Sequence, residues 1–331
     1  MPYRHEAMFY ASQDALLEAG VPWLRDGLDA GDVIALACDA EDNDVLAAAL
    51  GNHPAVRVLP QDRIYHKAVD AVAVYHDLVT TTVAASHARV RVLGEVGFGT
   101  SERALDEWRR FEAVCNHALA PLPLWSVCAY HTEHLPQSLI DTALATHPWL
   151  RTADTTAPNH DYVPPARLLN RAGPPLPPPN GEATTFALAE DGALREVRQW
   201  LRTRLDDLDT TAEAAETVVL AVGEVAGNGL RHGRPPVRVT LWVTPTYILC
   251  DVTDRGPGIT DPLAGYTPPD PVRPAEHGAG LWVTRRLCDQ VTTAQSRTGF
   301  TVRLAVTRGE PRPASARVRH LTPGRDDARD V

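Results

Sequence analysis

Two polar side chains stand four residues apart in an otherwise apolar helical stretch of the second half of the chain. Glu224 and Asn228 therefore project from the same helix face, one turn above the other. A carboxylate can position a water or take a proton, and a carboxamide oxygen can ligate a hard cation such as Mg²⁺. Two explanations are open from this segment alone: a polar stripe that faces solvent, or a binding site.

Two glycine-containing segments further along could bring the backbone close to a ligand. Asp254 follows a predicted strand and begins the sequence Asp-Arg-Gly-Pro-Gly, in which Gly256 and Gly258 allow close approach. The Asp254 carboxylate can accept hydrogen bonds from an exocyclic amine. Gly278 and Gly280 lead into another predicted helix, whose free amides and positive dipole end attract phosphate. Each segment is weak on its own, because Asp-x-Gly-x-Gly is also a common turn.

The basic residues limit how phosphate could be held. Lys67 is the only lysine and has no glycine near it, so a P-loop with Gly-Lys-[Ser/Thr] is excluded. The chain carries 32 Lys+Arg against 42 Asp+Glu, a net charge of −10, which argues against nucleic acid as a direct partner. If the chain binds ATP, it must therefore hold the phosphates in another way.

The length of 331 residues exceeds what one compact core usually holds and predicts two domains. Eight prolines within residues 152–182 predict a spacer that sustains neither helix nor central strand. The spacer separates a domain at residues 1–151 from one at residues 183–307. Residues 308–331 combine Arg, Asp and Pro without apolar periodicity and are expected to form a disordered tail.

In the first domain, short apolar runs alternate with amphipathic helical ones. This order predicts an α/β domain with a mainly parallel sheet covered by helices. The predicted strands cover residues 33–38, 56–59, 90–93 and 124–129. The predicted helices cover residues 14–28, 42–50, 68–85, 101–119 and 136–145.

The second domain has a different order and is predicted to be α+β. A short strand at residues 186–188 precedes a helix with one apolar stripe, formed by Leu194, Val197, Leu201 and Leu205. A second helix is predicted to open at Thr210, with Glu213 completing a capping box, and to run to about His232. Alternating apolar residues then predict antiparallel strands at 237–243, 247–253 and 300–306.

The five cysteines are odd in number and widely spaced, which is typical of reduced, buried thiols and not of a disulfide framework or a zinc site. No stretch approaches the roughly 18 uninterrupted apolar residues of a membrane span. The protein is therefore expected to be cytoplasmic and free of the membrane.

Taken in order, the motifs Glu-x-x-x-Asn, Asp-x-Gly-x-Gly, Gly-x-Gly-Leu and Thr-Gly-Phe-Thr resemble the N, G1, G2 and G3 boxes of the Bergerat-fold ATPases, which include the histidine kinases. The segment Glu-Val-Ala-Gly-Asn-Gly-Leu-Arg-His-Gly looks like the N box of anti-sigma-factor serine/threonine kinases. The resemblance covers residues 183–307 and implies an α+β sandwich that binds ATP and Mg²⁺.

By this resemblance, Asn228 would ligate Mg²⁺, Glu224 would be the general base, and Asp254 would read the adenine amino group. The pocket walls and phosphate loop would be formed by Gly256, Gly258, Gly278, Gly280 and Leu281. Thr301 would lie near the adenine. The proline-containing stretch between Gly258 and Gly278 would be the ATP lid.

The resemblance also implies a reaction and partners. A histidine kinase needs a helical hairpin with a phosphoacceptor histidine, and a proline spacer stands in its place. The expected function is that of a signalling regulator that binds Mg-ATP and phosphorylates Ser or Thr on an anti-sigma-factor antagonist, or sequesters a sigma factor. Two alternatives are a histidine kinase core that acts on a partner's histidine, and an ATP-dependent binding module without phosphotransfer. A homodimer is left open.

The first domain resembles the MEDS sensory module, which is thought to derive from recombinase-type P-loop ATPases. The residues that carry the resemblance lie at 5–10, 92–95, 110–112, 124–130 and 146–148. It implies a domain that senses a small-molecule ligand and controls the second domain. Glu95 at a strand end and Glu112 on a facing helix are candidates for a shared pocket with His5 and Tyr130. The other explanation is that these four groups only make structural hydrogen bonds.

Overall fold

The computed structural model describes residues 3–86, 88–97, 102–169, 179, 181–189, 193–206, 208, 210–259, 261–269, 279–297 and 299–308. Two separate sheets organise the chain, one of seven strands and one of five. The first half contains, in order, β1 (Arg4–Tyr10), α1 (Gln13–Asp29), β2 (Val33–Ala37), α2 (Ala40–Ala49), β3 (Val56–Val58), α3 (Gln61–Ile64), α4 (Ala68–Ser86), β4 (Val90–Gly94), α5 (Glu102–Ala118), β5 (Leu124–His131), α6 (Gln137–Thr146), β6 (Trp149–Arg151), β7 (Thr156–Pro158) and α7 (Pro165–Leu169).

The first sheet has the order β3-β2-β4-β5-β1-β6-β7 and is parallel throughout except for the final β6–β7 pair. Successive residues of β1 enter different cores, because Ala7 packs with α4 and α5 residues on one face and Met8 with α1 residues on the other. Both faces are thus covered by helices, as a parallel sheet requires. The predicted mainly parallel α/β sheet is confirmed.

The sequence reading missed three strands of this sheet and misjudged part of the proline-rich segment. β1, β6 and β7 were not predicted as strands, and β7 and α7 lie within residues 152–169, where the prolines argued against regular structure. Pro158 ends β7 at the edge of the sheet, and Pro165 is the first residue of α7. Proline is tolerated at both kinds of position because no ladder or helix hydrogen bond from its nitrogen is needed there. Most of the remaining predicted spacer and nearly all of the predicted tail fall outside the described residues.

The second half forms an antiparallel sheet with helices against it. Its elements are β8 (Ala183–Leu188), α8 (Ala193–Asp206), α9 (Ala212–His232), β9 (Val237–Val243), β10 (Tyr247–Asp254), α10 (Ala279–Leu287), β11 (Gln290–Ser296) and β12 (Gly299–Thr307). The sheet order is β11-β12-β10-β9-β8, with every neighbouring pair antiparallel. One core joins the apolar sides of α8 and α9 to the inward residues of β9, β10 and β12. The predicted α+β arrangement is confirmed, and β11 is an addition to it.

Local details differ by a residue or a contact. The N-cap of α9 is Thr211, whose hydroxyl accepts from the Ala214 amide. The prediction of Thr210 as the N-cap of a capping box is therefore wrong by one residue. Thr210 instead donates its hydroxyl to the Arg308 carbonyl. All five cysteines are free and buried. Among the described residues, no helix combines the length and apolarity needed to span a bilayer.

A buried ion pair supports the first sheet. The Arg91 guanidinium donates to Asp32 Oδ2 at 2.7 Å and to the Trp23 carbonyl at 2.7 Å, and it lies 4.8 Å from the centre of the Trp125 ring. Both charged side chains are at most one-tenth exposed. Removing one member would leave the other charge buried without its partner.

We expect Asp32→Ala to lower the free energy of unfolding by about 3 kcal/mol, because the Arg91 guanidinium would keep its buried position without a counter-charge. Urea denaturation followed by tryptophan fluorescence measures this loss. Arg202→Ala, which removes the exposed pair with Glu216, is the control and should leave the unfolding midpoint unchanged. Equal midpoints for the two variants would contradict the structural importance of the buried pair.

Candidate functional site

The helix face predicted to carry chemistry lies at the C-terminal half of α9. Glu224 and Asn228 are both half-buried there, on a helix that packs against β10 and β12. The first residues of α10 approach Glu224 closely, since a Cβ atom added at Gly280 would lie 2.5 Å from Glu224 Oε2. Glycine at this position is therefore what lets the start of α10 reach the α9 carboxylate.

Asp254, the last residue of β10, is buried against the end of α9. Its Oδ1 atom accepts from the Gly256 amide and, at 3.4 Å, from the Arg234 amide. A Cβ at Gly233 would lie 2.5 Å from Asp254 Oδ1, and one at Gly256 would lie 2.7 Å from the same atom. The carboxylate is thus held by backbone amides in a space that only glycine leaves open.

The loop after β10 and the strand beside it complete this region. Gly258 has a φ of +81°, and a Cβ there would lie 2.4 Å from Phe300 Cδ2, so both its conformation and its contact require glycine. Thr301 is paired with Thr253 across β12 and β10, and their hydroxyl oxygens are 2.9 Å apart. Leu281 is buried at the start of α10. Gly278 lies outside the described residues.

Sequence reasoning missed one side chain at this site. A guanidinium nitrogen of Arg231 donates to Asn228 Oδ1 at 3.0 Å. The spacing of three residues on one helix could have identified the pair. Arg231 brings a positive charge to the carboxamide oxygen, and a guanidinium is well suited to bind phosphate oxygens. The hydrogen bond from Arg231 occupies one of the two lone pairs of that oxygen.

A second group of polar side chains lies inside the first domain. The Tyr130 hydroxyl donates to Glu112 Oε1 at 2.6 Å, and His5 Nε2 lies 3.5 Å from Glu112 Oε2. Two residues not proposed from the sequence complete the group: His147, with Nε2 3.4 Å from Glu112 Oε2, and Cys128, with Sγ 3.3 Å from His5 Nε2. We call His5, Glu112, Cys128 and His147 the buried cluster, since each is buried.

Burial dominates the ionisation of the buried cluster. It raises the pKa of the Glu112 carboxyl to about 7, against which the hydrogen bonds from Tyr130 and Trp108 act. It lowers the pKa of His147 to about 4. Burial, and next the neighbouring His147, also lower the pKa of His5. Both imidazoles are therefore neutral at neutral pH.

Glu95 does not belong to the buried cluster, so the predicted shared pocket is wrong for this residue. Glu95 accepts hydrogen bonds from the Tyr10 hydroxyl and, at 3.2 Å, from the Asp39 amide. It lines a different cleft, together with Asp42 and His134. Tyr10 pairs in register with His131, while its neighbour Phe9 pairs with Tyr130. The side chains of adjacent strand residues point to opposite faces, which separates Glu95 and Tyr10 from Tyr130.

Comparison with known proteins assigns both halves. Residues 4–148 match the family model of the MEDS domain, the methanogen/methylotroph DcmR sensory domain. Residues 187–306 match the model of the histidine kinase-like ATPase domain. No protein of curated function matches the chain.

Solved structures resemble only part of the chain. A crystal structure of the RsbU and RsbW domains of Rv1364c from Mycobacterium tuberculosis aligns with 39% of this chain at 19% identity and a TM-score of 0.30, and the chain covers 34% of its length. The histidine kinase AdeS of Acinetobacter baumannii aligns with 38% of this chain at 14% identity and a TM-score of 0.24, with 68% of its own length covered.

The two family matches fall on the two sheets, one on the parallel sheet with the buried cluster and the other on the antiparallel sheet with Glu224, Asn228 and Asp254. This protein is a MEDS sensory domain joined to a histidine kinase-like ATPase domain.

Proposed function

We propose that the ATPase domain binds Mg-ATP and transfers its terminal phosphate to a serine or threonine of an anti-sigma-factor antagonist, or captures a sigma factor, under control of the MEDS domain. The observation that carries the proposal is the contact of Gly280 with Glu224, one turn before Asn228 on α9. The start of α10 thereby meets the Glu224 carboxylate, one helical turn from the Asn228 carboxamide, although about fifty residues separate the two segments in the sequence.

Each side chain has a role that its surroundings support. Asn228 would ligate Mg²⁺ through Oδ1, with Arg231 moving from that oxygen to the phosphates. Glu224 would take the proton of the attacking hydroxyl. Asp254 keeps one carboxylate oxygen for the adenine amino group while the Gly256 and Arg234 amides hold the other. Gly258, Leu281 and Thr301 would contribute walls of the pocket, and Gly278 would belong to the phosphate loop.

The architecture proposed with this function is a Bergerat-type sandwich at residues 183–307 and a recombinase-like fold, without nucleotide hydrolysis of its own, at residues 1–151. The only lysine of the chain is engaged elsewhere, which supports the second assignment. Of residues 152–182, β7 and α7 belong to the first domain, so the proposed junction is confined to residues 170–182, and residues 308–331 are the proposed tail. We propose a cytoplasmic protein without a nucleic-acid or membrane partner.

Control by the MEDS domain is supported by the contact between the two domains. We call residues 261–269 the lid segment, since they follow the Asp-x-Gly-x-Gly motif where an ATP lid would lie. Leu263 and Tyr266 of the lid segment, together with Trp282 of α10, are buried in the same core as residues of α4 and α5. The Arg110 guanidinium of α5 donates to the Tyr266 hydroxyl at 3.3 Å. The lid segment is therefore packed on the sensory domain.

The other end of α10 is held by the same domain. Lys67 donates to the carbonyl oxygens of Arg286 and Cys288, the second at 3.1 Å. Arg286 in turn donates to Asp70 Oδ1 at 3.0 Å. A lysine at a helix C-terminus satisfies carbonyls that lack helical partners and is favoured by the dipole. A change in the sensory domain can thus reach two elements that border the proposed nucleotide site.

Asn228 is the proposed protein ligand of the metal ion. We expect Asn228→Ala to weaken Mg-ATP binding by at least about ten-fold, because the only proposed protein ligand of the metal is lost. Isothermal titration calorimetry with and without Mg²⁺ measures the effect. Glu213→Gln, at the exposed start of the same helix, is the matched control and should bind as the wild type does. Wild-type Mg-ATP affinity in Asn228→Ala would remove the assigned site.

Glu224 is proposed to act in phosphotransfer and not in nucleotide binding. Glu224→Gln should keep Mg-ATP affinity within a few-fold and lose phosphotransfer by about a hundred-fold or more, since a carboxamide cannot accept the proton. Transfer of radiolabelled phosphate to antagonist proteins of the same genome is the measurement. Acid-stable label supports Ser or Thr as acceptor, whereas acid-labile label would replace it by the histidine kinase alternative. Binding of nucleotide and partner without any transfer would leave an ATP-dependent binding module.

Lys67, the only lysine of the chain, can report on the contact between the two domains. Because Lys67 is the only lysine and its side chain is largely buried at the domain contact, we expect an amine reagent to modify it slowly. We expect Mg-ATP to raise the rate of Lys67 modification, since closure of the lid segment and α10 on the nucleotide would draw the end of α10 away from Lys67. Mass spectrometry of the Lys67 peptide measures the rate, and Asn228→Ala serves as the control that should not respond. Identical rates with and without Mg-ATP would contradict control through this contact.

A further inference from the structure

The four members of the buried cluster come from four separate parts of the MEDS domain. His5 is on β1, Glu112 on α5, Cys128 on β5, and His147 directly after α6. One ligand atom from each lies within 4.8 Å of the other three. Two imidazole nitrogens, one thiol sulfur and one carboxylate oxygen are therefore gathered at a single point in the core.

The distances among these atoms suit a tetrahedral metal ion. Three of them are short: His5 Nε2 to Cys128 Sγ is 3.3 Å, His147 Nε2 to Glu112 Oε2 is 3.4 Å, and His5 Nε2 to Glu112 Oε2 is 3.5 Å. Zinc bonds of about 2.0–2.3 Å in a tetrahedron separate the ligand atoms by about 3.3–3.8 Å. These three separations fall in that range, and the other three are at most 4.8 Å.

The hydrogen bonds around the histidines direct their free nitrogens towards this point. His147 Nδ1 donates to the Ala143 carbonyl at 2.8 Å, which leaves the lone pair on Nε2. His5 Nδ1 donates to Asn116 Oδ1 at 3.2 Å, and the Asn116 amide group donates to the Thr146 carbonyl at 2.7 Å, so that amide has a defined orientation. Metal-ligating histidines characteristically donate their other N–H in this way.

The two oxygens of the Glu112 carboxylate also differ in their surroundings: one accepts hydrogen bonds and the other faces the buried cluster. Glu112 Oε1 accepts from the Tyr130 hydroxyl and, at 3.3 Å, from the Trp108 indole. Glu112 Oε2 and His147 Nε2 are fully buried and have no hydrogen-bond partner among the described residues. Burying polar atoms without partners costs free energy, and a cation between them would remove that cost.

We propose that the buried cluster of the MEDS domain binds a Zn²⁺ ion through His5 Nε2, Glu112 Oε2, Cys128 Sγ and His147 Nε2. Binding releases the thiol proton of Cys128, and the proton of Glu112 where it is present, to solvent. The thiolate and the carboxylate then neutralise the two charges of the ion, so the occupied site is neutral and compatible with burial. Four protein ligands make it a closed site of the structural type.

A narrow, mainly apolar cavity borders the buried cluster. Its lining includes His5 and Cys128 together with Tyr3 and Phe111. The two ligand side chains His5 and Cys128 are therefore not fully enclosed by packed atoms.

The test is zinc binding by the full-length protein, purified without an affinity tag that binds metals. After zinc loading and gel filtration in a weak chelator, elemental analysis should find stoichiometric zinc in the wild type. Cys128→Ser and Glu112→Gln should each lower zinc affinity by at least about ten-fold. Co²⁺ in place of zinc should give the thiolate-to-metal absorption and strong visible bands of a tetrahedral site, with the first lost in Cys128→Ser.

Two controls exclude other sites. Cys38→Ser removes a thiol that is also buried in this domain and donates to the Leu93 carbonyl, and His134→Gln changes the separate cleft that contains Glu95. Both should keep stoichiometric zinc. Loss of zinc in His134→Gln but not in Cys128→Ser would overturn the assignment.

Folding is followed by circular dichroism for every variant. If a ligand variant is unfolded, the Co²⁺ spectrum of the wild type is sufficient to test the proposal, because the thiolate-to-metal absorption band shows directly that a cysteine ligates the ion. A wild-type protein that retains no zinc and gives no cobalt–thiolate band would overturn the proposal. The buried cluster would then be a hydrogen-bonded group in which a protonated Glu112 faces the histidines.

Discussion

Close approach of Asp254 to the end of α9 is the constraint on which the ATPase half depends. Added Cβ atoms at Gly233 and Gly256 would lie within 2.7 Å of this carboxylate, so the end of α9 and the loop after β10 can meet around it only with glycine on both sides. The same helix brings Glu224 against Gly280. This helix thereby brings together two segments that are distant in sequence, the loop after β10 and the start of α10.

Much of this half could be predicted from the sequence because its signals are local. The four-residue spacing of Glu224 and Asn228, the hairpin of β9 and β10 and the stripe of α8 all depend on neighbouring residues, and each is present in the structure. The pairing of Arg231 with Asn228 is equally local, since the two residues are three apart on one helix. Gly278, by contrast, lies outside the described residues, so its predicted role stays a prediction.

The sensory half was harder to predict because its site depends on strand order. His5 meets Cys128 only because β1 inserts beside β5, more than a hundred residues later in the chain, and nothing in the spacing of either strand indicates this pairing. His147 stands alone in the sequence and gains neighbours only through the packing of α6. Glu95 at a strand end and Glu112 on a facing helix were both candidates for one pocket, but Glu112 contacts Tyr130 whereas Glu95 contacts Tyr10, which pairs with the next residue of β5 on the opposite face of the sheet. Residues brought together by long-range sheet topology carry no local pattern.

Lys67 links the end of α10 to the sensory domain, a connection that the sequence of α10 does not suggest. The helix has nine residues and is about 13 Å long, with Gly280 near Glu224 at its start and the carbonyls held by Lys67 at its end. A hydrogen-bonded helix of this length behaves as a stiff rod, so a shift of α4 would translate its far end by a similar amount. Arg110 of α5, which donates to the Tyr266 hydroxyl, is two residues from Glu112. This contact is a second connection between the sensory core and the lid segment. The sensory domain therefore contacts the ATPase domain through the two elements that border the proposed nucleotide site, α10 and the lid segment.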